Sequence, residues 1–287
     1  MKMVKKILLG MTVAAAILAL TSCKGLLGGA GGDINNTPGS SSATIDENNT
    51  GDFKRGFKML VQDHLDAICH IENTVNALEG TTQKANGVLG YIFNYKKGDD
   101  GKASFSIAGV RYNQSTKKVE AYVETFKDVL ESSIESDATL LNNGIHAKGN
   151  KTWSEFGFDL FESTKNYNAG DKFDVWIDVV ANDGETEGRN GTAGSYTVRF
   201  FDKDPGRNKG TNDKLTYDNE ATVKKLAELT IAADDVSNPF KKSGETKGKL
   251  SNMQSKIGYY YNVQPKQKLT GSWKFSEIKM EAEEIEE

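Results

Sequence analysis

Stretches in which apolar and polar residues alternate one for one constrain this chain more than any other feature. Phe173, Val175, Ile177 and Val179 interleave with Lys172, Asp174, Trp176 and Asp178. Tyr196, Val198 and Phe200 interleave with Ser195, Thr197 and Arg199. Val119, Ala121 and Val123 do so with Glu120, Tyr122 and Glu124, and Phe105, Ile107 and Gly109 with Ser104, Ser106, Ala108 and Val110. Successive side chains of a strand point to opposite faces, so a period of two marks strands with distinct faces. Turn formers bound the runs, as at Gly98-Asp99-Asp100-Gly101, Asn182-Asp183-Gly184 and Asn190-Gly191. Short alternating runs with no long helices between them predict a mostly β protein, an antiparallel β-sandwich. Further strands are expected near 88–95, 156–162, 227–232, 257–263 and 269–278.

Two segments read differently. Phe57, Leu60, Val61, Leu65, Ile68, Ile71, Val75 and Leu78 recur at three- and four-residue spacing, which points to an amphipathic helix. Leu65, Ala67, Cys69 and Ile71 also alternate with Asp66, His70 and Glu72, so a strand stays open there, and the balance leans slightly to the helix. A shorter helix is expected over 219–228, capped by Asp218 or Asn219.

At the amino end Lys2, Lys5 and Lys6 precede an apolar run from Ile7 to Leu20, interrupted only by Gly10 and Thr12. The run is shorter than the roughly 20 apolar residues of a spanning helix and has the form of a secretory signal peptide. It ends in Leu20-Thr21-Ser22-Cys23, which resembles a lipobox. Ser22, where Gly or Ala is commoner, resembles spirochaete lipoproteins, treponemal ones among them. The resemblance implies cleavage before Cys23, diacylglycerol on its thiol and a fatty acid such as palmitate on its amino group. The bilayer is then a partner, because two or three buried chains anchor stably where one does not. Lys24 stands where an Asp retains some lipoproteins at the inner membrane, so outer-membrane or cell-surface placement is expected by analogy.

The expected organisation is a signal peptide over 1–22, the lipidated Cys23 with a flexible tether over 23–52, a sandwich over 53–280 and an acidic tail over 281–287. The tether is rich in Gly, Ser, Asn and Thr and would span about 30 Å. The chain carries 36 Lys and Arg against 40 Asp and Glu. Removal of the leader takes three of those lysines, and the acidic balance that remains argues against a nucleic-acid partner. Only Cys69 is left besides the anchor, so no intrachain disulfide is expected, and its apolar neighbours make it a core residue.

Gly90-Tyr91-Ile92-Phe93-Asn94-Tyr95, Ser104 to Tyr112, Ala121 to Phe126, Gly194 to Phe200 and Gly271 to Ile278 together resemble concanavalin- and laminin-G-like jelly rolls. The resemblance extends over 54–279 and implies a two-sheet sandwich, with carbohydrate binding among the functions found in that class.

Little in the chain has the pattern of catalytic chemistry. There is no Gly-x-Ser-x-Gly elbow, P-loop or dinucleotide fingerprint. Of the three histidines, His64, His70 and His146, the first two with Cys69 would diverge on a helix, and Cys69 and His70 would oppose each other on a strand. Glycosidases of this shape carry carboxylates at alternate positions of one strand. Around Asp178 those positions hold Trp176 and Val180, while Glu155, Asp159 and Glu162 have helical spacing, so no enzyme is expected. Asp202 and Asp204 are candidate calcium ligands, as are Asp99 and Asp100, although a third acid is missing from each loop. No other cofactor is expected. The candidate ligand-binding aromatics are Trp153, Trp176, Tyr259, Tyr260 and Tyr261; three successive tyrosines must face both sides of a strand, so at least one is expected to meet solvent or a neighbouring loop. The leading expectation is a non-catalytic binding module for host protein or glycan. The alternatives are a structural or immune-decoy envelope lipoprotein and a degenerate polysaccharide hydrolase.

Overall fold

The alternating runs do form strands. A computed structural model describes residues 39–50, 54–76, 87–113, 117–130, 166–209, 213–263 and 266–278. Its first six strands are β1 (Gly39–Asn49), β2 (Lys54–His64), β3 (Ala67–Thr74), β4 (Val88–Lys97), β5 (Lys102–Asn113) and β6 (Lys118–Leu130). After them come β7 (Lys172–Ala181), β8 (Tyr196–Phe201), β9 (Arg207–Lys209), β10 (Leu215–Tyr217), β11 (Lys225–Ile231), β12 (Ser255–Val263) and β13 (Gln267–Ile278). A six-stranded sheet has the order β1-β13-β3-β7-β8-β11, and a five-stranded sheet the order β2-β12-β4-β5-β6. Every pairing is antiparallel, and β9 and β10 form a separate hairpin. The expected antiparallel sandwich is the fold.

The chain ends wrap together. β1 pairs with β13, β2 with β12, β3 with the other edge of β13 and β4 with the other edge of β12. Strands from the two ends of the chain thus alternate between the two sheets of the sandwich. Between the sheets lies one apolar core, with Tyr91, Val110, Val123 and Tyr259 from the five-stranded sheet against Ile71, Val175, Phe200 and Phe275 from the six-stranded one. Trp273 crosses this layer, its indole N–H donating to the Gly90 carbonyl at 3.0 Å. Such a bond satisfies a buried donor and fixes the two sheets in register. Gly271 is needed beside it, since a Cβ there would lie 2.4 Å from both the Leu89 side chain and the Glu72 carbonyl.

The helix favoured over 57–78 is not formed; residues 54–64 and 67–74 are β2 and β3. Leu65 and Asp66 carry the chain from one sheet to the other and shift the phase of alternation there. Two out-of-phase period-two runs, with Leu60 inward before the crossing and Ala67, Cys69 and Ile71 inward after it, imitate a three- and four-residue spacing. The expected helix over 219–228 is replaced by a turn, in which the Asn219 carbonyl accepts from the Thr222 and Val223 amides, followed by β11. The tether expected over 23–52 is cut short, because Gly39–Asn49 is β1. Its burial signal is small: Ala43 and Ile45 face the core from among polar neighbours. The expected signal peptide, Cys23, the strand expected near 156–162 and the acidic tail lie outside the described residues.

Candidate functional site

The two sheets differ on their outward faces. On the six-stranded sheet β3 places His70 and Glu72 outward, β7 places Asp174, Trp176 and Asp178, and β13 places Lys274. Registration aligns Lys274, His70 and Trp176 in one row across three strands. The imidazole and indole stack, with centroids 4.0 Å apart and planes 10° from parallel. His70 Nε2 lies 3.0 Å from Asp174 Oδ1, a hydrogen bond that orients the ring. Both aromatic residues are partly exposed. Lys172 pairs with Glu72 at 3.3 Å nearby, so an ordered aromatic pair sits among charges of both signs.

Beside this row the polar face becomes buried. Asp66, from the β2–β3 crossing, accepts from the guanidinium groups of both Arg189 and Arg207. Arg207 Nε lies 3.0 Å from Asp178 Oδ1, and the Tyr217 hydroxyl donates to Asp178 Oδ2. Arg199 donates to the Tyr217 oxygen at 2.7 Å and to Glu228 at 2.9 Å. Arg207 and Tyr217 come from β9 and β10, so these charges clamp that hairpin onto the face of the six-stranded sheet. Burial alone would raise the Asp66 carboxyl, but Arg207 and Arg189 outweigh it and hold the group below the usual range. For Asp178 burial prevails over Arg207 and Tyr217, and its carboxyl is pushed up. The network joins positions 66, 178, 189, 207 and 217, and no local sequence pattern links them.

The sequence-predicted residues scatter. Trp176 is on the aromatic row. Tyr259, Tyr260 and Tyr261 are buried, at 2%, 1% and 2% exposure, so none of the three meets solvent. Tyr259 and Tyr261 enter the inter-sheet core, and Tyr260 joins Val88, Ile92, Phe105, Ile107, Tyr122 and Phe126 in a second apolar cluster on the other face of the five-stranded sheet. That sheet is buried on both faces, which explains why adjacent tyrosines all lose solvent. Asp202 Oδ1 accepts from the Lys224 amide at 2.9 Å and Asp204 Oδ1 from the Gly206 amide at 2.8 Å, as turn residues do. Asp100 likewise accepts from the Lys102 amide. Among the described residues no three His, Cys, Asp or Glu side chains converge on a metal position. Cys69 is fully buried, and desolvation raises its thiol far above the ordinary value. Trp153, His146, Glu155, Asp159 and Glu162 lie outside the described residues.

A same-strand carboxylate pair missed in the sequence reading is Glu120 and Glu124 on β6, both buried. Four strand residues separate Cα atoms by about 13 Å. Glu120 is also committed elsewhere, accepting from Arg111 at 2.8 Å and Asn113 at 2.7 Å. This arrangement differs from two free carboxyls facing one sugar. Among the described residues no helix is long and apolar enough to cross a membrane. No family model matches the chain, and no curated protein matches it in sequence.

Proposed function

We propose that the mature protein is a lipoprotein held at the outer membrane or cell surface through Cys23, and that its sandwich is a non-catalytic module binding a host protein or glycan. The stacked His70–Trp176 pair carries the binding part of this reading. A partly exposed indole, already oriented by its neighbour, loses little side-chain freedom on contact, and Lys274, Asp174 and Glu72 share its face of the sheet. Aromatic surface ringed by polar groups is the composition of binding hot spots. Strands of a packed sheet supply a rigid base for it. The Leu20-Thr21-Ser22-Cys23 sequence supports the anchor.

The test is a panel of immobilised matrix proteins and glycans probed with the wild-type protein and with Trp176→Ala. A ligand held by the wild type and lost by Trp176→Ala, with unchanged melting, supports the assignment. Equal retention by both proteins contradicts it. Membrane fractionation of Cys23→Ala tests the anchor separately: release to the soluble fraction is expected, and full membrane retention refutes lipidation at that residue.

A further inference from the structure

At the end of the sandwich where β2 crosses to β3, four separate segments line a half-open cleft of about 600 Å³. This lies within the range of small-ligand pockets. Leu65, Ala193, Phe240 and Leu250 supply its apolar lining, and Glu185 and Lys247 line it with opposite charges. Among the described residues neither the Glu185 carboxylate nor the Lys247 ammonium has an ion-pair partner, and the two do not pair with each other. Other charges at the site are engaged. Both Asp183 oxygens accept from the turn, Oδ1 from the Glu185 and Thr186 amides and Oδ2 from the Thr186 hydroxyl. Lys249 lies 3.9 Å from Glu245.

The walls are braced before any ligand arrives. The loop between β7 and β8 is tied by Asn182, which donates to Ser195 at 3.0 Å and Thr197 at 2.9 Å. Arg189 fastens the same loop to the Asp213 carbonyl at 2.6 Å and the Ala181 carbonyl at 3.0 Å. Opposite it, Asn252 donates to the Phe240 carbonyl and to Glu245. The Phe240 ring lies so close over Gly248 that a Cβ there would come within 2.2 Å of it.

We propose that this cavity binds a short peptide with free termini, its ammonium meeting Glu185, its carboxylate meeting Lys247 and its side chains lying on the apolar lining. Opposite charges supplied by the two facing walls of a braced, partly apolar cleft match a zwitterion with an apolar body. A neutral sugar would leave both charges unpaired, and a simple ion would satisfy one. The inference does not depend on the anchor or on the aromatic row.

The test is isothermal titration of the mature full-length protein, in detergent micelles, with trileucine and its N-acetyl and C-amide derivatives. Trileucine is expected to bind, and each blocked peptide to bind roughly tenfold more weakly or worse, the scale of a lost charge-assisted contact. Glu185→Gln and Lys247→Met should each weaken trileucine similarly, with melting temperatures unchanged because both residues are exposed. Trp176→Ala should bind as the wild type does. No binding of trileucine, equal binding of the blocked peptides, or loss of binding in Trp176→Ala would each overturn the proposal.

Discussion

The outward faces of the two sheets have opposite characters. That of the six-stranded sheet carries Thr44, Asp46, His70, Glu72, Asp174, Trp176 and Lys274, whereas that of the five-stranded sheet carries Val88, Ile92, Phe105, Ile107, Tyr122, Phe126 and Tyr260, all buried, beside the buried Glu120 and Glu124. The difference separates stability from contact. One sheet is a core element on both sides; the outward face of the other is polar and, along the row of Lys274, His70 and Trp176, partly exposed. The two tryptophans on described strands illustrate the same division. Trp273 is buried and bonded across the sheets, while Trp176 stands partly exposed against His70.

Substitutions can break this contrast, and the largest effect is expected inside. Trp273→Ala should cost about 3–5 kcal/mol, from lost burial and an orphaned Gly90 carbonyl, measured by urea unfolding. Asp66→Asn should cost a similar amount, about 3–5 kcal/mol, because Arg189 and Arg207 would keep buried charges with their shared partner neutralised. Ile107→Ala, on the apolar outward face, should cost about 2–5 kcal/mol in the same assay. Trp176→Ala should cost under about 1 kcal/mol of stability while removing ligand binding. A large destabilisation by Trp176→Ala, or none by Ile107→Ala, would erase the distinction between the faces.

The buried charges sharpen the comparison through pH. The Asp66 carboxyl is lowered in the fold, so its stabilisation is complete above its ordinary value of 3.8 and is lost as pH falls through the lowered value. Asp178 is raised, so its contribution has the opposite sign: favourable below 3.8, and lost as pH rises through the raised value. In urea midpoints measured from acid to neutral pH, the gap between wild type and Asp66→Asn should close at the acid end. Asp178→Asn should remove a loss of stability that appears above 3.8.

Much of this architecture was legible in the sequence. The runs over 172–179 and 195–200 alternate because one face is buried and the other polar, and the polarity of Trp176's neighbours foretold its face. Reading failed where that condition fails. Tyr259, Tyr260 and Tyr261 lie on a strand buried on both sides, where period two carries no information about solvent. Around Leu65 and Asp66 the sheet crossing resets the phase, and β1 is masked by serine and threonine at its polar positions. The cavity was not legible either, since Leu65, Glu185, Phe240 and Lys247 come together only through the crossing and two long loops. The Asp66 network was hidden for the same reason.

The most direct test of the account is lysine labelling on intact cells with a membrane-impermeant reagent, read by mass spectrometry. Lys172 and Lys274, both exposed on the polar face beside the aromatic row, are the reporters. The account expects both to be labelled on unbroken cells and both to be protected once a bound ligand covers Trp176. Labelling of neither until the cells are lysed would place this face away from the outside and contradict the surface-binding reading.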